Sequence, residues 1–228
     1  MALSELQMRK LNRMAAKDLL EVEHLLKVAR IGDSSDVQFL QSLKTTNSWS
    51  DSGIENGVLV VPFGRWTEVV CAFLEGGYDR LISLATDPDT FDDYCEFCIA
   101  ALEELRTPQS VLALMDIAQG IKTLPTRHKA VSVAANIASA LNLILSLKGA
   151  PSIYPHIEDT VREFLHTLLI ADLEEHELAS VIYALRGVGD ELSIHKITAL
   201  PPLNYPFEGA QKDSIRAIKK RVKQRRDA

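Results

Sequence analysis

Cysteine is scarce in this chain and odd in number, three in 228 residues. That excludes a disulfide framework and points to a reducing compartment, with the cytoplasm as the expected location. No apolar run approaches the roughly 18–20 residues that span a bilayer, so no membrane attachment is expected. The opening MALSELQMRKLNRMAAKDLLEVEHLLKVARI is charged throughout, so it is not expected to act as a secretory signal. No Gly-rich phosphate loop occurs, since Gly76-Gly77 ends a helical stretch instead of opening one after a strand. G-x-S-x-G and H-E-x-x-H are missing too. The six histidines supply no i, i+4 pair with a third ligand, and Glu163-x-x-His166 has no second copy, so all six read as surface residues. Asp87-Pro-Asp-Thr-Phe-Asp-Asp lacks the central Gly and distal Glu of a calcium loop and reads as helix capping. Together these gaps lead to an expectation of no catalytic residue, no metal, no cofactor and no small-molecule substrate.

What is present is apolar material and charge. With 46% apolar residues and a mean hydropathy of +0.01, the chain can build one large domain or a single repeat array. The formal charge of −6 is uneven: residues 211–228 hold eight basic and two acidic residues, a net +6, against −12 for the rest. An acidic body repels nucleic-acid phosphates and favours a cationic partner by steering.

Helical periodicity dominates. Leu6, Leu11, Met14, Leu19, Leu20, Leu25, Leu26 and Val28 predict one helix over residues 4–30, ended by Gly32-Asp33. A short helix follows over 35–43, then a long polar loop containing Trp49. VLVVPFG reads equally as a strand or a buried extended connector. Further helices are expected over 65–75, 78–85, 91–105 with Thr90 as N-cap, and 108–119 opened by Thr107-Pro108. The remainder reads as helices over 126–147, 154–170, 173–188, 191–200 and 209–226.

The pairs of helices resemble one another. AALEELRTPQSVLALMDIA, SALNLILSLKGAPSIYPHI and YALRGVGDELSIHKITALP align so that Ala101-Leu102, Ala140-Leu141 and Ala184-Leu185 share a column, spaced by 39 and 44 residues. In the first and third stretches Leu105 matches Val188, Ser110 matches Ser193 and Val111 matches Ile194. On these marks, and a late Ala217-Ile218, residues 78–222 resemble the HEAT-like and armadillo-like α-solenoid family. The resemblance implies an all-α solenoid of antiparallel helix pairs with a curved binding face, and implies no activity. One domain over 1–228 is expected. Residues 1–77 would form N-terminal cap helices and the long loop, 78–208 the repeats, and 209–228 a basic capping helix with Ile215, Ile218 and Val222 inward.

Cys95 and Cys98 form a C-x-x-C but lie with Phe91, Tyr94, Ala101, Leu102 and Leu105 on one helical stripe. A fourth zinc ligand is wanting, and no strand precedes the pair as a dithiol redox site requires, so both thiols are expected to pack inward.

The candidate function is therefore a surface. One acidic cluster holds Asp87, Asp89, Asp92, Asp93, Glu96, Glu103 and Glu104; a second holds Glu158, Asp159, Glu163, Asp172, Glu174, Glu175 and Glu177. The resemblance implies that second helices line the concave side, which would put Gln109, Asp116, Gln119, Glu158, Asp159, Arg162, Glu163, His166 and His195 before a partner. Trp49 is either a binding anchor or folded back onto the first helices. The site expectation is accordingly Trp49, Asp92, Asp93, Asp116, Glu158, Asp159, Glu163, His166 and His195, facing another, basic protein. Such a binder suits a stoichiometric inhibitor of immunity type, or equally an adaptor or scaffold subunit. A HEAT-like DNA glycosylase is the enzyme alternative, disfavoured by the acidic body.

Overall fold

The computed structural model describes residues 2–17, 19–43, 53–55, 58–60, 63–123, 127–146 and 153–227. Helices account for about four-fifths of them, and helix packs on helix; the sheet among the described residues is one short hairpin. The chain divides into two compact units, Met1–Leu105 and Arg106–Ala228.

In the first unit α1 (Glu5–Ala15) opens on Ser4, whose hydroxyl accepts from Gln7 N–H while the Gln7 amide oxygen accepts from Ser4 N–H. The single helix expected over 4–30 is two. Lys17 and Leu19 N–H both turn back to the Met14 carbonyl, and a new cap at Glu21, whose N–H donates to His24 Nδ1, starts α2 (Val22–Ile31). Periodicity ran on through the break because Leu20, Leu25 and Leu26 are buried as Leu11 is. A 3-10 turn, Ser34–Asp36, leads into α3 (Val37–Ser42). Asp36 is fully buried there, and its carboxylate accepts from Leu3 N–H and Asp33 N–H, tying the first residues to this turn.

Strands β1 (Gly53–Glu55) and β2 (Val58–Val60) pair antiparallel with Ile54 opposite Leu59, so the segment open between strand and connector forms a strand. The run α4 (Phe63–Thr86) breaks at Gly77, where φ is 62° and ψ −149°. That conformation is closed to most L side chains, and it divides the run at the Gly-Gly where the sequence placed an end. In α5 (Phe91–Leu105), the Thr90 carbonyl accepts from Tyr94 N–H, but its hydroxyl donates back to the Leu84 carbonyl. The side chain expected to cap α5 thus fastens the preceding turn. α4 and α5 pack together, with α2 on both. Phe91, Cys95, Cys98, Ile99, Ala101, Leu102 and Leu105 form the buried face of α5, so the C-x-x-C thiols face inward as expected.

The second unit contains α6 (Pro108–Gly120), α7 (Arg127–Ser146), α8 (Pro155–Leu168), α9 (Glu175–Val188), α10 (Glu191–Thr198) and α11 (Ala210–Arg226). Thr107 and Ser110 form a reciprocal capping box at the head of α6, and Asp190 and Ser193 form the same box at α10. Ser110 and Ser193, matched by sequence, are thus both fully buried residues of a helix start. Helix α9 is the hub, packing on α7, α8 and α11. Two glycines set its close contacts. A Cβ on Gly187 would lie 2.6 Å from Leu145 Cβ and 3.0 Å from its carbonyl oxygen, both on α7. A Cβ on Gly189 would meet Ile218 of α11 at 2.9 Å. Helix α11 buries Ala210, Ser214 and Ile218, an i, i+4, i+8 stripe, whereas Ile215 and Val222 are half-buried at its flanks.

Candidate functional site

The polar groups of the second unit converge on the turn between α9 and α10. A helix C-terminus leaves carbonyls without intrahelical donors and carries partial negative charge. Two arginines from other helices supply what is missing. Arg162 of α8 donates to the Val188 carbonyl (3.1 Å) and through Nε to Asp190 (3.0 Å), and also pairs with Asp159. Arg221 of α11 donates to the Gly189 carbonyl (3.1 Å) and meets Glu158 at 2.6 Å. Arg225 also pairs with Glu158, and Arg226 with Glu191. Glu158 is only 8% exposed. It is affordable there because two guanidiniums face it.

His166, Ser193 and Asp190 meet beside this turn. His166 Nε2 lies 2.8 Å from Ser193 Oγ, and Ser193 donates to Asp190 Oδ1 at 3.0 Å while accepting from Asp190 N–H. The hydroxyl proton is spent on Asp190, so His166 must be the donor and carries its proton on Nε2. Three residue types of a hydrolase triad are therefore present in the wrong order, with the carboxylate on the serine instead of the imidazole. Ser193 is also fully buried at the head of α10. The trio caps a helix and offers no nucleophile to a substrate.

Burial lowers the His166 pKa, with Lys196 and Arg162 adding to it against Asp190 and Glu163. Burial works against the Asp190 carboxylate but is outweighed by the Ser193 donors, Arg162 and His166, so its pKa is lowered. A neutral His166 in the fold and an ordinary one in the unfolded chain, near 6.5, has a definite sign. The contribution is present in full above about pH 6.5, and below it the unfolded chain binds the extra proton and stability falls. Urea unfolding of wild type and His166→Gln from pH 7.5 to 5 should show their difference shrinking as pH drops. A constant difference would remove His166 as the titrating group.

The sequence-predicted residues are scattered by this geometry. Trp49 lies outside the described residues. Asp92 and Asp93 are exposed on the first turn of α5, where Asp93 pairs with Arg65 at 2.7 Å. Asp116 on α6, Asp159 and Glu163 on α8, and His195 on α10 are exposed. Glu158 and His166 are not presented to a partner, and His166 is not the surface histidine expected; both are buried and held by groups from α11 and α10. Their spacing carried the signal. Glu158, Val161, Leu165 and His166 fall at i, i+3, i+7, i+8 on the buried face of α8. Asp190, Ser193 and Arg221 were not singled out as polar anchors, although Ser193 had been matched to Ser110.

Electrostatics divide by unit. Residues 1–105 hold 9 basic and 18 acidic residues, a net −9, while residues 106–228 hold 16 and 13, a net +3. Asp87, Asp89, Asp92, Asp93 and Glu96 are all exposed around the start of α5. Both acidic clusters have partners within the fold: in the first, Asp93 pairs with Arg65 and Glu104 with Arg30; in the second, Glu158 and Asp159 meet arginines, Glu174 and Glu177 form a capping box and Glu175 accepts from Asn204, with Glu158 buried. The thiols are inert by environment: burial pushes Cys95 and Cys98 up to about 12, and Cys71 up to about 11. Among the described residues no group of three or more His, Cys, Asp or Glu is placed to hold a metal ion. Nor is any described helix long and apolar enough to cross a membrane.

Compared with known proteins, the chain matches no family model, no curated protein and no solved structure.

Proposed function

We propose that this chain is a HEAT-like helical-repeat protein that acts by binding a basic protein partner, in the manner of an immunity-type inhibitor, and not by catalysis. Two successions of helices in the second unit support the repeat reading: α7 packs on α9 and α9 on α11, while α6 packs on α8 and α8 on α10. Stacked antiparallel pairs produce such alternation. The aligned Ala101-Leu102, Ala140-Leu141 and Ala184-Leu185 fall on α5, α7 and α9, and each of the six is at most 1% exposed.

The observation that carries the binding reading is the confinement of negative charge. A net −9 in residues 1–105, with five exposed acids around the start of α5, makes a field that steers cations. The recognition surface is therefore placed on the first acidic cluster, in the unit that carries the net negative charge. Capture from a lysate of the source cell, comparing wild type with Asp92→Lys/Asp93→Lys and with Glu163→Lys, tests this. The expected result is a basic protein retained by wild type and by Glu163→Lys and lost by the double variant. Retention of the same protein by all three, or capture of an acidic one, would contradict the reading. Asp93 is exposed and Arg65 half-buried, so the pair is worth about 1 kcal/mol and the double variant is expected to fold.

A further inference from the structure

Helix α11 has two faces with different fates. Its inner face buries Ala210, Ser214 and Ile218 and sends Arg221, Arg225 and Arg226 to Gly189, Glu158 and Glu191. On the opposite face stand Lys212, Arg216, Lys219, Lys220 and Lys223, all exposed, at i, i+4, i+7, i+8 and i+11. At 100° per residue these five fall within one stripe, and none has an ion-pair partner among the described residues. Capping a helical stack needs only the inner face. Five like charges in one line repel one another, by a few tenths of a kcal/mol per i, i+4 pair, and only Lys223, in the last turn, is offset by the helix dipole.

We propose that this stripe binds the phosphate backbone of a nucleic acid. Eleven residues of helix span about 16 Å at 1.5 Å each, which sets one cation about every 4 Å. A duplex carries one negative charge per about 1.7 Å of its axis, so a row of this length runs beside enough phosphates to engage four to five of them. A bilayer is the weaker match. The outward face of α11 bears no exposed apolar side chain to anchor in lipid, and a planar surface suits a broad patch better than a single row. The contact is sequence-independent, since lysines and one arginine on a convex helix reach phosphates and not base edges. It belongs to the second unit, which carries a net +3, and stands whether or not the acidic surface of the first unit binds a protein.

Fluorescence anisotropy with a labelled 20-base-pair duplex at 50–300 mM NaCl tests it, with vesicles containing phosphatidylserine as the comparison. Wild type should bind the duplex with log K falling against log salt at a slope of about −4, the value for four to five phosphates. Lys212→Glu/Arg216→Glu/Lys219→Glu/Lys223→Glu should abolish binding with its circular dichroism unchanged. The milder Lys219→Gln/Lys223→Gln, which leaves the buried stripe untouched, should reduce the slope by about 2. Absence of duplex binding at 50 mM NaCl, a slope unmoved by the milder variant, or binding to vesicles alone would overturn the proposal.

Discussion

Glu158→Ala is expected to destabilise the second unit by about 3 kcal/mol, read as a drop in the urea midpoint without a change in slope. The carboxylate faces Arg221, whose side chain is 18% exposed, and Arg225, which is half exposed. Removing it leaves Arg221 largely desolvated with only the Gly189 carbonyl as acceptor, and an uncompensated buried charge is what makes such a loss large. Arg225 turns to water and contributes little. A double variant, Glu158→Met with Arg221→Met, should recover most of the loss, because apolar groups of similar volume replace a buried pair at little cost. If Glu158→Ala cost less than about 1 kcal/mol, the ion pair would not be holding α11 to α8.

Gly187→Val is expected to cost about 3 kcal/mol, at the upper end of overpacking penalties. Its nearest obstacle is Leu145, met both at Cβ and at the backbone carbonyl, neither of which can swing aside as the tip of a long side chain can. Helix α9 would have to rise from α7, and it carries α8 and α11 as well. Gly187→Ala separates the terms. It gains up to about 1 kcal/mol of helix propensity and still meets the 2.6 Å contact, so it should remain net destabilising. An alanine variant as stable as wild type would mean that α7 and α9 are free to shift.

The helices were legible because their apolar stripes lie within each segment. Starts and stops in the second unit fall within about two residues of expectation, as for α9, which begins at Glu175 and ends with Val188. Local chemistry suffices for that. The Ala-Leu columns were legible for a related reason: small residues where helices touch recur whenever the same contact recurs. The break after Ala15 was hidden, since the periodic leucines continue through it and only the turn at Met14 and the His24 cap interrupt the backbone.

Polar partnership was the illegible part. Glu158 and Arg225 are 67 residues apart, and His166 and Ser193 are 27 apart. Composition cannot distinguish a carboxylate awaiting a partner from one already neutralised inside the fold. The total of −12 outside the last 18 residues was correct as a sum and misleading as a location, because most of it sits in residues 1–105. Two buried residues therefore leave the candidate surface, and the acids at the start of α5 become its centre.

The most direct test of that centre is the association rate of the captured basic partner as ionic strength rises from 20 to about 300 mM, measured by stopped flow. Electrostatic steering predicts a fall of at least about tenfold for wild type and for Glu163→Lys, and a slow, nearly salt-independent rate for Asp92→Lys/Asp93→Lys. Equal rates for all three at every salt concentration would contradict recognition through the acidic start of α5.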